Sequence, residues 1–323
     1  EIDPRAGALA AFALTMKARA RQRTFFNMQV EPNICVIDPI AFSPDELSFL
    51  VTRGGDKYAE EAFWNQFAEA DTLGSLIRPD AELTARLARH LETLDDGEDM
   101  LKADTLDWAH RVVLQSRTLG AQYHVVVANP PYMGNKSMGA ELAAFGKDAY
   151  PLSKSDLYAM FLERSMEFAL MSGYAALVAM QSWMFLSTYA NLRESVFTDG
   201  TIATLAHLGP GAFDTISGEI VQTAAVVLER GARPKQRGVF LDVTADRNEA
   251  AKSSTLRSLI AGQTSVGRYE VDVFDLSKVP GRPVAYWLSV AARELFEGHE
   301  PLGQALHITG GMTTGDNERF LRR

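Results

Sequence analysis

The apolar run His124-Val125-Val126-Val127-Ala128 stops abruptly in Asn129-Pro130-Pro131-Tyr132. β-branched residues favour a strand, and two consecutive prolines cannot donate to a ladder or let the preceding residue turn helical. A buried strand is therefore predicted to end at residue 128 and to deliver a polar side chain at its carboxyl end. That rim is where open α/β sheets place their ligands. An ordinary strand-to-loop turn is the competing account of the same residues.

The rest of the chain supplies the sheet and its helices. Pro4 in a first-turn position, followed by Ala, Leu and Met, predicts a helix over 4–25. Residues 33–38 read as a short buried strand closed by Asp38-Pro39, with Cys35 packed inside it. From 43 to 119 the pattern is helical and more charged, too long for a simple connection, and an inserted helical unit is expected. A loop over 133–152 follows the motif. Ser153-Lys-Ser-Asp156 has capping-box spacing ahead of a helix over 155–172, which Gly173 ends. Strands are expected at 174–180, 202–208, 220–229, 239–243 and 268–275, and helices at 249–261 and 283–297. Gly209-Pro210-Gly211 marks a turn. Strands alternating with helices predict a mainly parallel sheet, with 202–208 and 220–229 as an antiparallel hairpin. The expected organisation is a partial core over 1–42, the insertion over 43–119, the core carrying the motif over 120–245, and an extension over 246–323.

Composition narrows the function. With 323 residues, 46% of them apolar, the chain can bury a large core. No apolar run reaches the roughly 18 residues that cross a bilayer, no secretory leader is visible, and a cytoplasmic location is expected. A single cysteine excludes an internal disulfide and a cysteine-based zinc site. The net charge of −9 argues against coating nucleic acid by bulk electrostatics, so any such contact needs a local basic surface. No HExxH set and no phosphate-binding Gly-x4-Gly-Lys loop occurs, so neither a metal nor ATP hydrolysis is implied. The opening at Glu1-Ile2-Asp3-Pro4 without methionine, and the close at Phe320-Leu321-Arg322-Arg323, read as the ends of an internal fragment.

Asn-Pro-Pro-aromatic suits one chemistry in particular. Methylating an exocyclic amine requires acceptors that take its N–H groups and turn the nitrogen lone pair toward the incoming carbon. The Asn129 amide oxygen and a carbonyl left free by the proline pair offer two acceptors. Pro131 stiffens the loop, and Tyr132 offers a ring on which a planar base stacks. Methylation at carbon 5 of cytosine needs a thiolate instead, and Cys35 is not in a Pro-Cys loop.

The tetrapeptide resembles the motif of S-adenosylmethionine-dependent amino-methyltransferases. Four longer stretches, YHVVVANPPYMGNK, SDLYAMFLERSMEFALMSGYAALVAMQSWMF, LAHLGPGAFDTISGEIVQTAAVVLE and TGDNERFLR, are similar to the adenine-specific DNA methyltransferases of BREX phage-defence systems, the PglX type. The resemblance implies an α/β, Rossmann-like methyltransferase sheet, incomplete at its N-terminus, with a helical insertion. It implies S-adenosyl-L-methionine as cofactor, double-stranded DNA and other phage-defence proteins as partners, and no membrane. A Gly-rich cofactor loop would precede Glu1 and a target-recognition region would follow Arg323, so residues 1–323 alone are expected to be inactive. Two related readings stay open: the methyltransferase part of a fused type II restriction enzyme, and a protein glutamine N5-methyltransferase, which carries the same tetrapeptide. A non-catalytic scaffold is a further alternative.

Asn129, Pro130, Pro131 and Tyr132 are the expected catalytic residues. By resemblance, Phe213 would clamp the flipped target base opposite Tyr132, offsetting the few kcal/mol needed to unstack it; a loop phenylalanine that anchors the hairpin is the plainer account. Glu1, at a strand-to-helix junction, matches the family's ribose-binding acid, with dipole complementation the alternative. Asp38 ends the next expected strand and would accept from the cofactor's adenine amine; Asp104 is its rival. Phe161 matches an aromatic position used against the adenine ring, although at helical spacing such a residue also serves as core.

Overall fold

The computed structural model describes residues 1–214, 221–231 and 236–298. Asp3 caps helix α1 (Pro4–Arg21), its carboxylate accepting from the Arg5 amide at 2.9 Å. Residues 33–38 carry no regular secondary structure and join no sheet, so the expected strand does not form there. They are tied instead to the start of the chain, where the Ile37 amide donates to the Glu1 carbonyl at 2.8 Å.

Helices α2 (Pro44–Leu50), α3 (Lys57–Trp64), α4 (Ala70–Leu73), α5 (Ala81–Leu91) and α6 (Met100–Gly120) follow. Ser43 and Glu46 close a reciprocal capping box on α2. Trp64, Phe67, Leu50, Leu87 and Val112 build a cluster of their own between these helices. Each such side chain contributes roughly 1.5–3 kcal/mol on burial.

Strand β1 (Tyr123–Ala128) carries the motif at its end. The expected loop after it contains helix α7 (Ala140–Ala149). Helix α8 (Leu157–Phe168) is shorter than expected, because the chain passes directly into strand β2 (Ala169–Met180) and Gly173 lies inside that strand. A β-carbon at Gly173 would stand 2.9 Å from the His124 carbonyl of β1, which explains the glycine by close strand approach rather than helix termination. Helix α9 (Ala190–Asp199), strands β3 (Gly200–Gly209), β4 (Thr223–Arg230) and β5 (Arg237–Asp242), and helix α10 (Glu249–Ile260) come next. The chain then forms strand β6 (Arg268–Asp272), helix α11 (Val273–Leu276) and helix α12 (Val290–Gly298). Residues 283–289, expected to be helical, are not. There Val284 and Tyr286 bury into the main core, and the Val284 amide donates to the Met184 carbonyl. The start of the strand expected at Ile220, Gly310-Gly311 and the stretch 314–322 lie outside the described residues.

The sheet has the order β1-β2-β4-β3-β5-β6. β1 with β2 and β3 with β5 are parallel, whereas β2 with β4, β3 with β4, and β5 with β6 are antiparallel. The sheet is therefore mixed rather than mainly parallel. β3 and β4 form the expected antiparallel pair, with β4 inserted between β2 and β3. Since β4 opposes both neighbours, β1, β2, β3 and β5 all point the same way, and their carboxyl ends share one rim.

β1 is not a buried strand: Val126 and Ala128 face the core, while Val125 and Val127 are 60% and 78% exposed. Among the described residues it pairs with β2 alone and stands at the sheet edge.

The helical segment is fastened to α8 by buried cations. The Arg164 guanidinium donates to the carbonyls of Ser75, Ile77 and Leu119 at 3.0, 2.8 and 2.8 Å, and to Glu167 at 3.0 Å. Arg78 pairs with Glu163 at 2.9 Å and stacks over Tyr150. Burying these charges is tolerated because each donor finds a carbonyl or carboxylate.

Candidate functional site

Asn129 leaves the end of β1 exposed, Pro130 is buried beneath it, and Pro131 is exposed. Tyr132 turns back against β2: its hydroxyl donates to the Val178 carbonyl at 3.3 Å, and its ring meets Tyr158 edge-on with centroids 6.1 Å apart. Burial pushes the Tyr132 phenol above its ordinary value, which keeps it neutral.

The loop is held from below by the N-terminus of α8. Asp156 caps that helix through the Tyr158 amide at 3.2 Å, and the same oxygen accepts from the Met133 amide at 3.1 Å. Backbone bonds from Leu157 to Met133 and from Asn135 to Ser155 complete the clamp. Burial raises the Asp156 carboxyl above its usual range, although amides of Tyr158, Met133 and Leu157 pull it down. In the sequence Asp156 reads as the fourth residue of a capping box opened by Ser153, whereas Asp156 is itself the N-cap and the Ser153 hydroxyl donates to Glu163 at 2.6 Å. The second role of Asp156 depends on a partner 23 residues away and has no local signal.

Phe213 follows β3 and so stands on the same carboxyl rim as Asn129. It is half-buried in a loop turned by Gly209 and Gly211, at φ 67° and 68°. A β-carbon at Gly211 would stand 2.9 Å from the Arg247 carbonyl, and the Asp214 amide donates to Glu249 at 3.1 Å, which seats this loop against the start of α10.

Glu1 and Asp38 are brought together, since Ile37 bonds to the Glu1 backbone. The Glu1 carboxylate is exposed and accepts from the Ile2 amide at 2.9 Å. Asp38 is half-buried and meets Arg111 at 3.4 Å. The strand that was to favour Asp38 over Asp104 is absent; what distinguishes them is that Asp38 is tethered beside Glu1, whereas Asp104 is exposed near the start of α6. Phe161 lies half-buried on α8, packed in a cluster with Leu76, Leu142, Tyr150 and Met160.

Four polar residues missed in the sequence also reach this rim. Gln181 follows β2, His207 lies near the end of β3, Asp242 ends β5, and Tyr286 comes from the segment before α12. His207 is 8% exposed, and burial pushes its imidazole below the ordinary value. Among the described residues no group of three or more His, Cys, Asp or Glu side chains is placed to hold a metal, and no helix is long and apolar enough to cross a membrane.

Residues 1–213 match the family model of the Eco57I restriction-modification methylases. Over all of its length the chain is 35% identical to the adenine-specific methyltransferase BrxX of Escherichia coli O9:H4 (strain HS) and 31% identical to the adenine-specific methyltransferase PglX of Lacticaseibacillus casei (strain Zhang). It spans 28% and 27% of the lengths of those two proteins. Among solved structures, a type I restriction-modification assembly aligns over 82% of this chain and 61% of its own, with 12% identity and a TM-score of 0.40. The matched region takes in the motif, Asp38, Phe161 and the Phe213 loop, and the chain belongs to the Eco57I restriction-modification methylase family.

Proposed function

We propose that this chain is the catalytic part of a site-specific DNA adenine N6-methyltransferase that uses S-adenosyl-L-methionine and marks host DNA within a BREX-type phage-defence system, in the cytoplasm. The observation that carries the reading is the exposed Asn129 amide at the carboxyl end of β1, beside a Tyr132 whose hydroxyl is tied to β2. The names of the two relatives, both adenine-specific methyltransferases, support the same substrate.

The residues present suit the cofactor. A nucleoside offers hydroxyls and an amine, all donors. Glu1 and Asp38 supply two carboxylates, joined through the Ile37 backbone and accessible from solvent. Glu1 would take the ribose hydroxyls and Asp38 the adenine amine, with Phe161 against the ring. When bound, the cofactor supplies an electrophilic methyl group on sulfur. The Asn129 oxygen and the Pro130 carbonyl accept the two N–H groups of the target amine, so its lone pair is directed in line. Tyr132 and Phe213 hold the flipped base between them, and no general base is needed before nitrogen attacks. Double-stranded DNA and other defence proteins are the proposed partners. With a net charge of −9, contact with phosphates falls to local basic surfaces or to the longer protein that its relatives exemplify.

Long-read modification mapping of host DNA tests the reading: the intact enzyme should leave N6-methyladenine at one recurrent sequence, and the Asn129→Ala enzyme none. Persisting methylation in that variant would overturn it.

A further inference from the structure

The polar residues behind the rim form an uninterrupted row, and its protons can be counted. At one end Asp242 is an ionised acceptor: the amide and hydroxyl of Thr244 donate to its Oδ1 at 2.9 and 2.7 Å. Its Oδ2 accepts from the Tyr286 hydroxyl at 3.0 Å. With its single proton committed there, the Tyr286 oxygen is an acceptor toward His207 Nδ1, 2.9 Å away, so Nδ1 carries hydrogen. On the other side of the ring, Nε2 faces the Gln181 amide at 2.6 Å, placed with Oε1 toward the ring and Nε2 toward Oε1 of the Gln222 amide, and both amides are reassigned by the proton count that follows. The two ends of an amide have the same outline, so the proton inventory decides which faces which. A neutral imidazole protonated on Nδ1 has only a lone pair at Nε2. Gln181 must then give its NH2 to His207 and its oxygen to the NH2 of Gln222, which leaves the Gln222 oxygen directed outward.

Burial favours the neutral ring, and the nearby charges oppose one another: Asp242 favours protonation, while the Lys252 ammonium, held by the Val243 carbonyl at 2.8 Å, disfavours it. The row ends where substrate is expected. Gln222 immediately precedes β4, Thr223 pairs with Met180 at the end of β2, and the Gln181 amide donates to the Gln222 carbonyl at 2.8 Å. Gln222 thus stands two strands in from the motif on the shared rim and on the same β3-to-β4 connection as Phe213. Beside it lies an aromatic shelf, with Phe185 5.9 Å from the His207 ring and Trp287, 46% exposed, 5.6 Å from Phe185.

We infer that Asp242, Tyr286, His207 and Gln181 are positioning residues of a one-way hydrogen-bond row that holds the Gln222 side-chain oxygen toward the rim as an acceptor for the exocyclic amine of a nucleobase, with Trp287 as its stacking shelf. This rests on the reading of the rim as a nucleic-acid site, and goes beyond the Asn129 loop to a second base-reading position.

Two measurements separate the inference from the reading beneath it. Nitrogen NMR of the chain labelled at its six histidines, with His207 assigned by loss of its signals in His207→Gln, reports the tautomer without any need for activity. The expected result at neutral pH is hydrogen on Nδ1 only; hydrogen on Nε2 would overturn the row. Asp242→Asn should reverse it. Thr244 keeps the amide oxygen, so the new NH2 donates to Tyr286, Tyr286 donates to Nδ1, and hydrogen moves to Nε2. Gln222 would then present NH2. In the intact enzyme, Asp242→Asn and Gln222→Leu should each lower kcat/KM for adenine methylation about tenfold, the worth of one hydrogen bond, while Gln222→Leu still unfolds in a single cooperative transition. Full kcat/KM in Gln222→Leu would overturn the substrate-facing role even where the tautomer is as expected.

Discussion

The two halves of the carboxyl rim are built in opposite ways. At β1 the proposed acceptor amide is exposed, and what positions it is local and largely backbone: two prolines, the Met133 amide held by the Asp156 carboxylate, and the Tyr132 hydroxyl tied to the Val178 carbonyl of β2. At β3 and β5 the proposed positioning groups are side chains drawn from four separate segments, His207 and Tyr286 buried and Gln181 and Asp242 half-buried. The first half resists change through stiffness and leaves its side chain free for chemistry. The second is fixed only while every donor finds its acceptor, so loss of one member exposes the rest to an unpaired partner.

Substitutions sharpen that contrast. The largest effect falls on Asn129→Ala, which deletes an acceptor and no core volume. Methyl transfer should drop by about 100-fold or more, the usual cost of removing one group that meets developing charge, with no change in the denaturation midpoint. A loss of stability alongside activity would show that the two halves are built alike. Tyr286→Phe acts the other way: it strands His207 Nδ1 and Asp242 Oδ2, and urea denaturation should report about 1–3 kcal/mol of lost stability. Asp156→Ala removes a helix cap and the Met133 anchor together. It should cost about 1–2 kcal/mol and raise KM more than it lowers kcat, because the loop loosens while Asn129 is retained.

The smallest effect is the pH dependence of stability. The His207 pKa is lowered in the folded protein, so below about pH 6.5 the unfolded chain binds the proton first. Stability is complete above that value and declines as pH falls through the window beneath it. Unfolding midpoints at pH 7.5 and 5.5 should therefore differ in the wild type and converge in His207→Gln.

The same contrast explains what was readable from the residues. Asn129 to Tyr132 are consecutive, and proline chemistry alone puts them at a strand end. Strands expected at 202–208 and 239–243 and the helix expected at 249–261 also showed in their residue patterns, whereas the strand expected at 268–275 stops at Asp272, where the chain turns into α11. Pairing partners did not show. Nothing local says that β4 inserts between β2 and β3, and that insertion turned an expected mainly parallel sheet into a mixed one. Residues 283–289 carry helix-compatible letters, but burying Tyr286 against Phe240 and His207 outweighs local propensity there. Residues 33–38 have strand composition without a neighbouring strand among the described residues, and form no strand. The row through His207 left no trace because its members share no period and no neighbourhood in sequence.

Helix α8 has one consequence beyond its place in the core. Asp156 at its N-cap grips the loop after Tyr132, and Arg164, about 12 Å farther along the axis, grips carbonyls of Ser75, Ile77 and Leu119. A single stiff rod thus has the helical segment bolted to its shaft and the Asn129–Tyr132 corner to its tip. Displacing residues 75–77 would swing that corner, so the tolerance of methyl transfer to insertions in the helical segment is set by this leverage rather than by distance from the chemistry.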